Sequence, residues 1–81
     1  MKNAIVLRPV PYEAISTPVL HRELRTLALA AHYLRKECEA AAKRDDIEYY
    51  ADALIEYLHA SQDFCVVECI LQERHRSGYP Q

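Results

Sequence analysis

The sequence predicts an all-α protein: an N-terminal arm followed by a long antiparallel helical hairpin that assembles into an oligomer. Three observations carry this expectation. Leu20, Leu24, Leu27, Ala31, Leu34, Cys38 and Ala41 recur at alternating spacings of four and three, the repeat of a helix packed on a neighbouring helix along one stripe. A single Gly stands among 81 residues, which suits long helices and disfavours a hairpin-rich β fold. Lys43-Arg44 runs straight into Asp45-Asp46. That joins a basic helix end to an acidic helix start, and so short a join makes antiparallel neighbours.

Residues 1–16 read as the arm. Pro9 and Pro11 lack amide donors and push Arg8 and Val10 toward extended geometry. Ala4 to Leu7 has the composition of a short strand, but a lone strand needs a partner. The hairpin proper is expected over 17–76, with helices at about 18–43 and 46–75 and a tail at 77–81. Thr17 reads as the cap of the first helix, with Pro18 at its first turn. Asp45 with Glu48 reads as a capping box for the second. Ile47, Tyr50, Leu54, Leu58 and Ser61 are the residues expected to face the first helix. Ser77-Gly78 and Pro80 supply the stop.

The stretch from Phe64 to Leu71 is apolar except for Glu68. A helix apolar all round is buried on more than one side, so Phe64, Val67, Ile70 and Leu71 are expected at an oligomer interface. Its β-branched and aromatic content also fits a buried strand. Helix is the favoured reading because His59 to Asp63 contains no Gly or Pro to break the chain. At this length a domain buries only about 60% of its unfolded surface, and small chains often gain stability by associating.

The formal net charge is −2, so bulk charge draws the chain neither to DNA nor to an acidic membrane surface. No apolar run approaches the ~18 residues of a membrane span. Ala4 to Leu7 is too short for a signal-peptide core. The three cysteines, Cys38, Cys65 and Cys69, form no disulfide framework and suit a reducing compartment. These points together predict a cytoplasmic protein.

Chemistry-bearing patterns are sparse. Cys65 and Cys69 share a helix face at i, i+4, but no second ligand pair accompanies them, so they read as small hydrophobes rather than a zinc site. Glu56-x-x-His59 has the spacing of a di-iron bundle motif, yet no carboxylate is expected opposite it. Asp52, Glu56, His59 and Asp63 then read as a solvated polar face. No serine sits in a strand–turn–helix elbow and no glycine-rich phosphate loop exists. No catalytic residue, metal or cofactor is expected, and the chain reads as a binding protein rather than an enzyme.

The richest constellation is the open end of the hairpin. Folding brings Arg8 and Tyr12 of the arm beside His21, Arg22 and Arg25 of the first helix and Arg74, His75 and Arg76 of the second. Arginines offer paired donors to phosphate or carboxylate, tyrosine rings stack on bases, and a helix N-terminus adds free amides. The plainer alternative is that Arg74 to Arg76 complement the helix C-terminal dipole and the arm is a tether.

Tyr12-x-x-Ile15-Ser16, leading into Leu24-Arg25-x-Leu27, resembles the phage-encoded cyclic-oligonucleotide sponges that block CBASS antiviral signalling. The late run Phe64-x-Val66-Val67 extends the likeness. The resemblance implies a multimeric helical protein that sequesters a cyclic oligonucleotide in the host cytoplasm. It also implies that Tyr12 and Arg25 contact the ligand. The chain departs from the pattern in carrying Arg25 where a lysine is usual, in a two-residue deletion before it, and in Glu68 where the family tends to be basic. The alternative function is an inhibitor or adaptor that docks on a partner protein through its apolar helix face.

Overall fold

The computed structural model describes residues 10–78. A 3₁₀ turn at Tyr12–Ala14 precedes two helices, α1 (Thr17–Lys43) and α2 (Ile47–Arg76). The helices pack against each other along their length as an antiparallel hairpin. No strand occurs among the described residues, and the run from Phe64 to Leu71 lies inside α2. Arg8, the apolar run Ala4 to Leu7 and Tyr79 lie outside the described residues.

The seam expected on α1 is the one it uses. Leu20, Leu27, Cys38 and Ala41 are buried, and Leu24, Ala31 and Leu34 are half-buried. On α2 the expected set is partly out of phase, with Leu54 and Ser61 half-buried but the others exposed. Ile47 is 79% exposed, Leu58 54% and Tyr50 38%. The residues that face α1 are instead Ala53, Tyr57, Ala60, Phe64, Val67, Leu71 and Arg74, which also alternate at four and three. The physical reason is packing distance. The hydrogen bond from Arg74 to Thr17 anchors the register. Counting from there, Leu20 is level with Leu71, Leu24 with Val67, Leu27 with Phe64, Ala31 with Ala60 and Cys38 with Ala53. The large residues that are fully buried lie in the open half, whereas those buried in the turn half, Cys38, Ala41 and Ala53, are small. Small residues at a helix contact favour close approach over bulky ones such as Ile47 and Leu58.

The turn is closed by main-chain geometry. The Asp46 amide donates to the Ala41 carbonyl at 2.9 Å and the Asp45 amide to Ala42 at 3.2 Å. That is the paired closure of a helix end whose next residue adopts a left-handed conformation. Asp45 takes that place with φ 58°. It therefore cannot cap α2, and the expected capping box does not form. Asp46 is the cap, its carboxylate accepting from the Tyr49 amide at 3.2 Å. At the far end Ser16, not Thr17, precedes the first turn of α1, and no side chain caps it. Thr17 is buried and used by Arg74. Gly78, with φ 75°, follows the end of α2 as its position required.

Residues 10–16 lie against the open half. Tyr12 is buried in one cluster with Leu20, Leu27, Val67 and Leu71, and Ile15, Leu24, Phe64 and Ile70 pack around it. The Tyr12 hydroxyl donates to Asp63 at 3.3 Å. Burial above all, then the negative charges of Asp63 and Glu23, push its pKa above the ordinary 10.0. A folded-state value raised above the unfolded one adds stability that is complete below about pH 10 and lost as pH rises through the folded value. Tyr12→Phe is expected to cost about 1 kcal/mol at pH 7. It should also make the alkaline loss of stability shallower, with Tyr49, raised by its hydrogen bond to Glu37, keeping the remainder. Urea midpoints measured from neutral to alkaline pH check both.

Candidate functional site

The open end carries the expected basic residues of the two helices, but it sorts them into different duties. Arg74 comes from the last turns of α2, on the seam. It is 7% exposed. Its guanidinium donates to Thr17 Oγ1 at 3.0 Å and to the Glu13 carbonyl at 3.0 Å. One planar group thus ties the segment before α1, the first turn of α1 and the end of α2 together, which a fork of fixed donors does well. Tyr12 is likewise buried and bonded to Asp63. The expectation that Tyr12 and Arg74 present themselves to a ligand is corrected. Both are spent inside the fold, because each sits where three segments meet and bury its polar atoms.

His21 and His75 lie far apart in sequence and line one open depression of ≈ 540 Å³ with Thr17, Leu24, Glu68, Leu71 and Gln72. Leu24 and Leu71 form an apolar floor, and the histidines, Gln72 and Glu68 stand around it. Small-molecule sites have this make-up and size, an apolar surface with a few convergent polar groups in about 300–1,000 Å³. Arg25 follows His21 by one helical turn and is exposed, but it does not line the depression. Arg22 is exposed but lies further round the helix. Arg76, at the end of α2, is exposed and bonded to Glu73. Arg8 is outside the described residues. Of the residues the sequence singled out, the depression thus brings His21 and His75 together. Glu68 and Gln72, which the sequence reading did not single out, share it, and their signal is their spacing from His75 on one flank of α2.

The expected oligomer residues are also redistributed. Val67 is wholly buried and Leu71 nearly so within a single chain, and Phe64 and Ile70 pack against them. Val67 and Leu71 are thus core rather than interface, since the seam of α2 runs through them. The apolar residues left at the surface are others, among them Leu29, Tyr33, Ile47, Ile55, Leu58 and Val66.

Cys38 is buried, and Cys65 and Cys69 are exposed as free thiols. Among the described residues no group of three or more His, Cys, Asp and Glu is placed to hold a metal ion. No described helix is long and apolar enough to cross a membrane.

Fold and site define a two-helix hairpin with an open depression lined by two histidines and a glutamate at its open end. No family model, curated protein or solved structure matches the chain.

Proposed function

We propose that the chain is a non-enzymatic binding protein whose open-end depression takes a small phosphorylated anion, with a cyclic oligonucleotide as the specific candidate. The observation that carries the reading is the convergence of His21 and His75 on one depression with Gln72, Leu24 and Leu71, one helical turn from the exposed Arg25. Imidazoles and a guanidinium donate to phosphate oxygens. Leu24 and Leu71 offer a surface to the flat face of a base. Glu68 would repel a bare phosphate, but it accepts from the amino and imino groups of a base edge. A ligand with both phosphates and bases matches this mixture better than an inorganic anion does.

The likeness to phage sponges of cyclic oligonucleotides supplies the specific candidate. With it comes the wider reading of a phage antagonist of host defence that acts by sequestration in the host cytoplasm. The burial of Tyr12 departs from that likeness, so the weight falls on His21, Arg25 and His75. Calorimetric titration of the purified chain with cyclic di- and trinucleotides tests the reading. Saturable heat is expected, with Arg25→Ala and His75→Ala each weakening binding at least tenfold. Absence of heat, or affinity unchanged in both variants, overturns it.

A second reading rests on a separate observation, the exposure of Ile47 and Leu58 at 79% and 54%. Exposed apolar surface marks contact with another protein, which suits an inhibitor or adaptor docking through α2. It loses its ground if a copy of the same chain covers that surface.

A further inference from the structure

We propose that the open-end depression selects guanine, with the Glu68 carboxylate as the group that reads the base. This rests on the depression being a nucleotide site, in which Glu68 is the one residue that phosphate would avoid. Of the described residues that line the depression, Glu68 alone carries a carboxylate. It is exposed, and among the described residues no hydrogen bond or ion pair engages it. An ionised carboxylate accepts hydrogen bonds and donates none. A ligand seated beside it must therefore bring donors. Guanine presents two adjacent donors on its pairing edge, the ring N1–H and the 2-amino group, which meet both oxygens of one carboxylate side by side. Adenine and cytosine present one donor next to a ring-nitrogen acceptor, and uracil one donor between two carbonyls. Each of those sets a lone pair against the carboxylate. Two parallel bonds to a charged acceptor are the strong arrangement, whereas a mismatched edge loses a bond and adds a repulsion.

The order of residues along the depression suits a nucleotide laid lengthwise. Glu68 follows Val67, which is level with Leu24, and so stands at the inner end. His21 follows Leu20, level with Leu71, and stands in the middle. His75 follows Arg74, whose guanidinium is bonded to Thr17, and stands at the outer end. Glu68 and His75 are two helical turns apart on α2, ~10 Å along its axis. A nucleotide carries its pairing edge and its phosphate at opposite ends of a comparable length. The base then rests on Leu24 and Leu71 with its edge to Glu68, while the phosphate meets His75 and His21. Gln72, one turn from Glu68 on the same flank, lies beside the sugar. The reverse orientation would set phosphate against Glu68, so one carboxylate fixes the direction of the ligand as well as its base.

Calorimetric titration of the full chain with cyclic di-GMP, cyclic di-AMP and cyclic di-IMP tests the proposal. The last differs from the first only in lacking the 2-amino groups. Cyclic di-GMP is expected to bind at least tenfold more tightly than either of the others. Glu68→Gln exchanges one acceptor for a donor and so matches the adenine edge. It should abolish the guanine preference and strengthen the binding of cyclic di-AMP. Glu68 is exposed, so the helical circular dichroism of the variant should be unchanged. His75→Ala should instead weaken all three ligands together, since it meets the phosphate they share. Equal affinity for cyclic di-GMP and cyclic di-AMP, or a guanine preference that survives Glu68→Gln, overturns the guanine assignment while the depression stands as a nucleotide site. Absence of heat with all three ligands overturns the nucleotide reading itself, and the assignment with it.

Discussion

Leu20→Ala is expected to lower stability by about 3 kcal/mol, the middle of the range for removing a fully buried leucine. Leu20 has no exposed surface and sits in the cluster with Tyr12, Leu27, Val67 and Leu71. It is level with Leu71 on α2 and lies in the first turns of α1, where residues 10–16 close over it. Neither helix can collapse into the space left behind, because Arg74 pins both to the preceding segment. The cavity term therefore adds to the lost transfer energy rather than being relaxed away. For a chain this short, with about half its stability at stake, the urea midpoint should fall sharply with an unchanged slope. Leu29→Ala, at a 59% exposed position on the same helix, is the control and should shift the midpoint little. Equal effects from the two would show that Leu20 is not the keystone of this cluster.

Arg74→Met is expected to cost about 2–4 kcal/mol, even though methionine follows much of the same path. Replacing a buried charge by an apolar side chain is often neutral when its partners leave with it. Here they stay. Thr17 Oγ1 and the Glu13 carbonyl both lose a charged donor at 3.0 Å. Thr17 is itself 4% exposed and has little water to turn to. Arg74→Lys should recover less than half of the loss, because one ammonium on a flexible stem does not reproduce the rigid fork. A double-mutant cycle with Thr17→Val should give a coupling of about 1 kcal/mol or more. Additivity of the two changes would remove the direct link.

How much of this was legible in the sequence differs between the helices. The seam of α1 was readable because polar residues isolate it on most sides. That of α2 was not, because apolar residues occur all round the helix and two stripes compete. The larger side chains, Ile47 and Leu58, drew the expected phase, yet the packed one runs through Ala53 and Ala60. Small residues carry little hydrophobic signal but decide how closely two axes approach. The turn misled by one residue for a related reason: two adjacent aspartates were available, and the left-handed closure of α1 claimed the first. At the open end, sequence placed the basic residues together but not their duties. Whether an arginine faces solvent or clamps three segments depends on a register that Thr17 and Arg74 set only when the fold is complete.

The difference between the two halves of the hairpin also governs how it opens. The bulky buried side chains, Leu20, Leu27, Val67, Leu71 and Tyr12, all belong to the half away from the turn. The turn half holds Cys38, Ala41 and Ala53, and each small residue contributes a fraction of what a buried leucine does. The corner where the chain is continuous is thus the weaker end. The end where separate stretches of chain meet is the stronger. Local breathing should start at Asp45 and travel outward, so that amide hydrogens around the corner exchange through small openings while those beside Leu20 and Val67 wait for global unfolding. Covalent continuity and mechanical strength sit at opposite ends of this molecule.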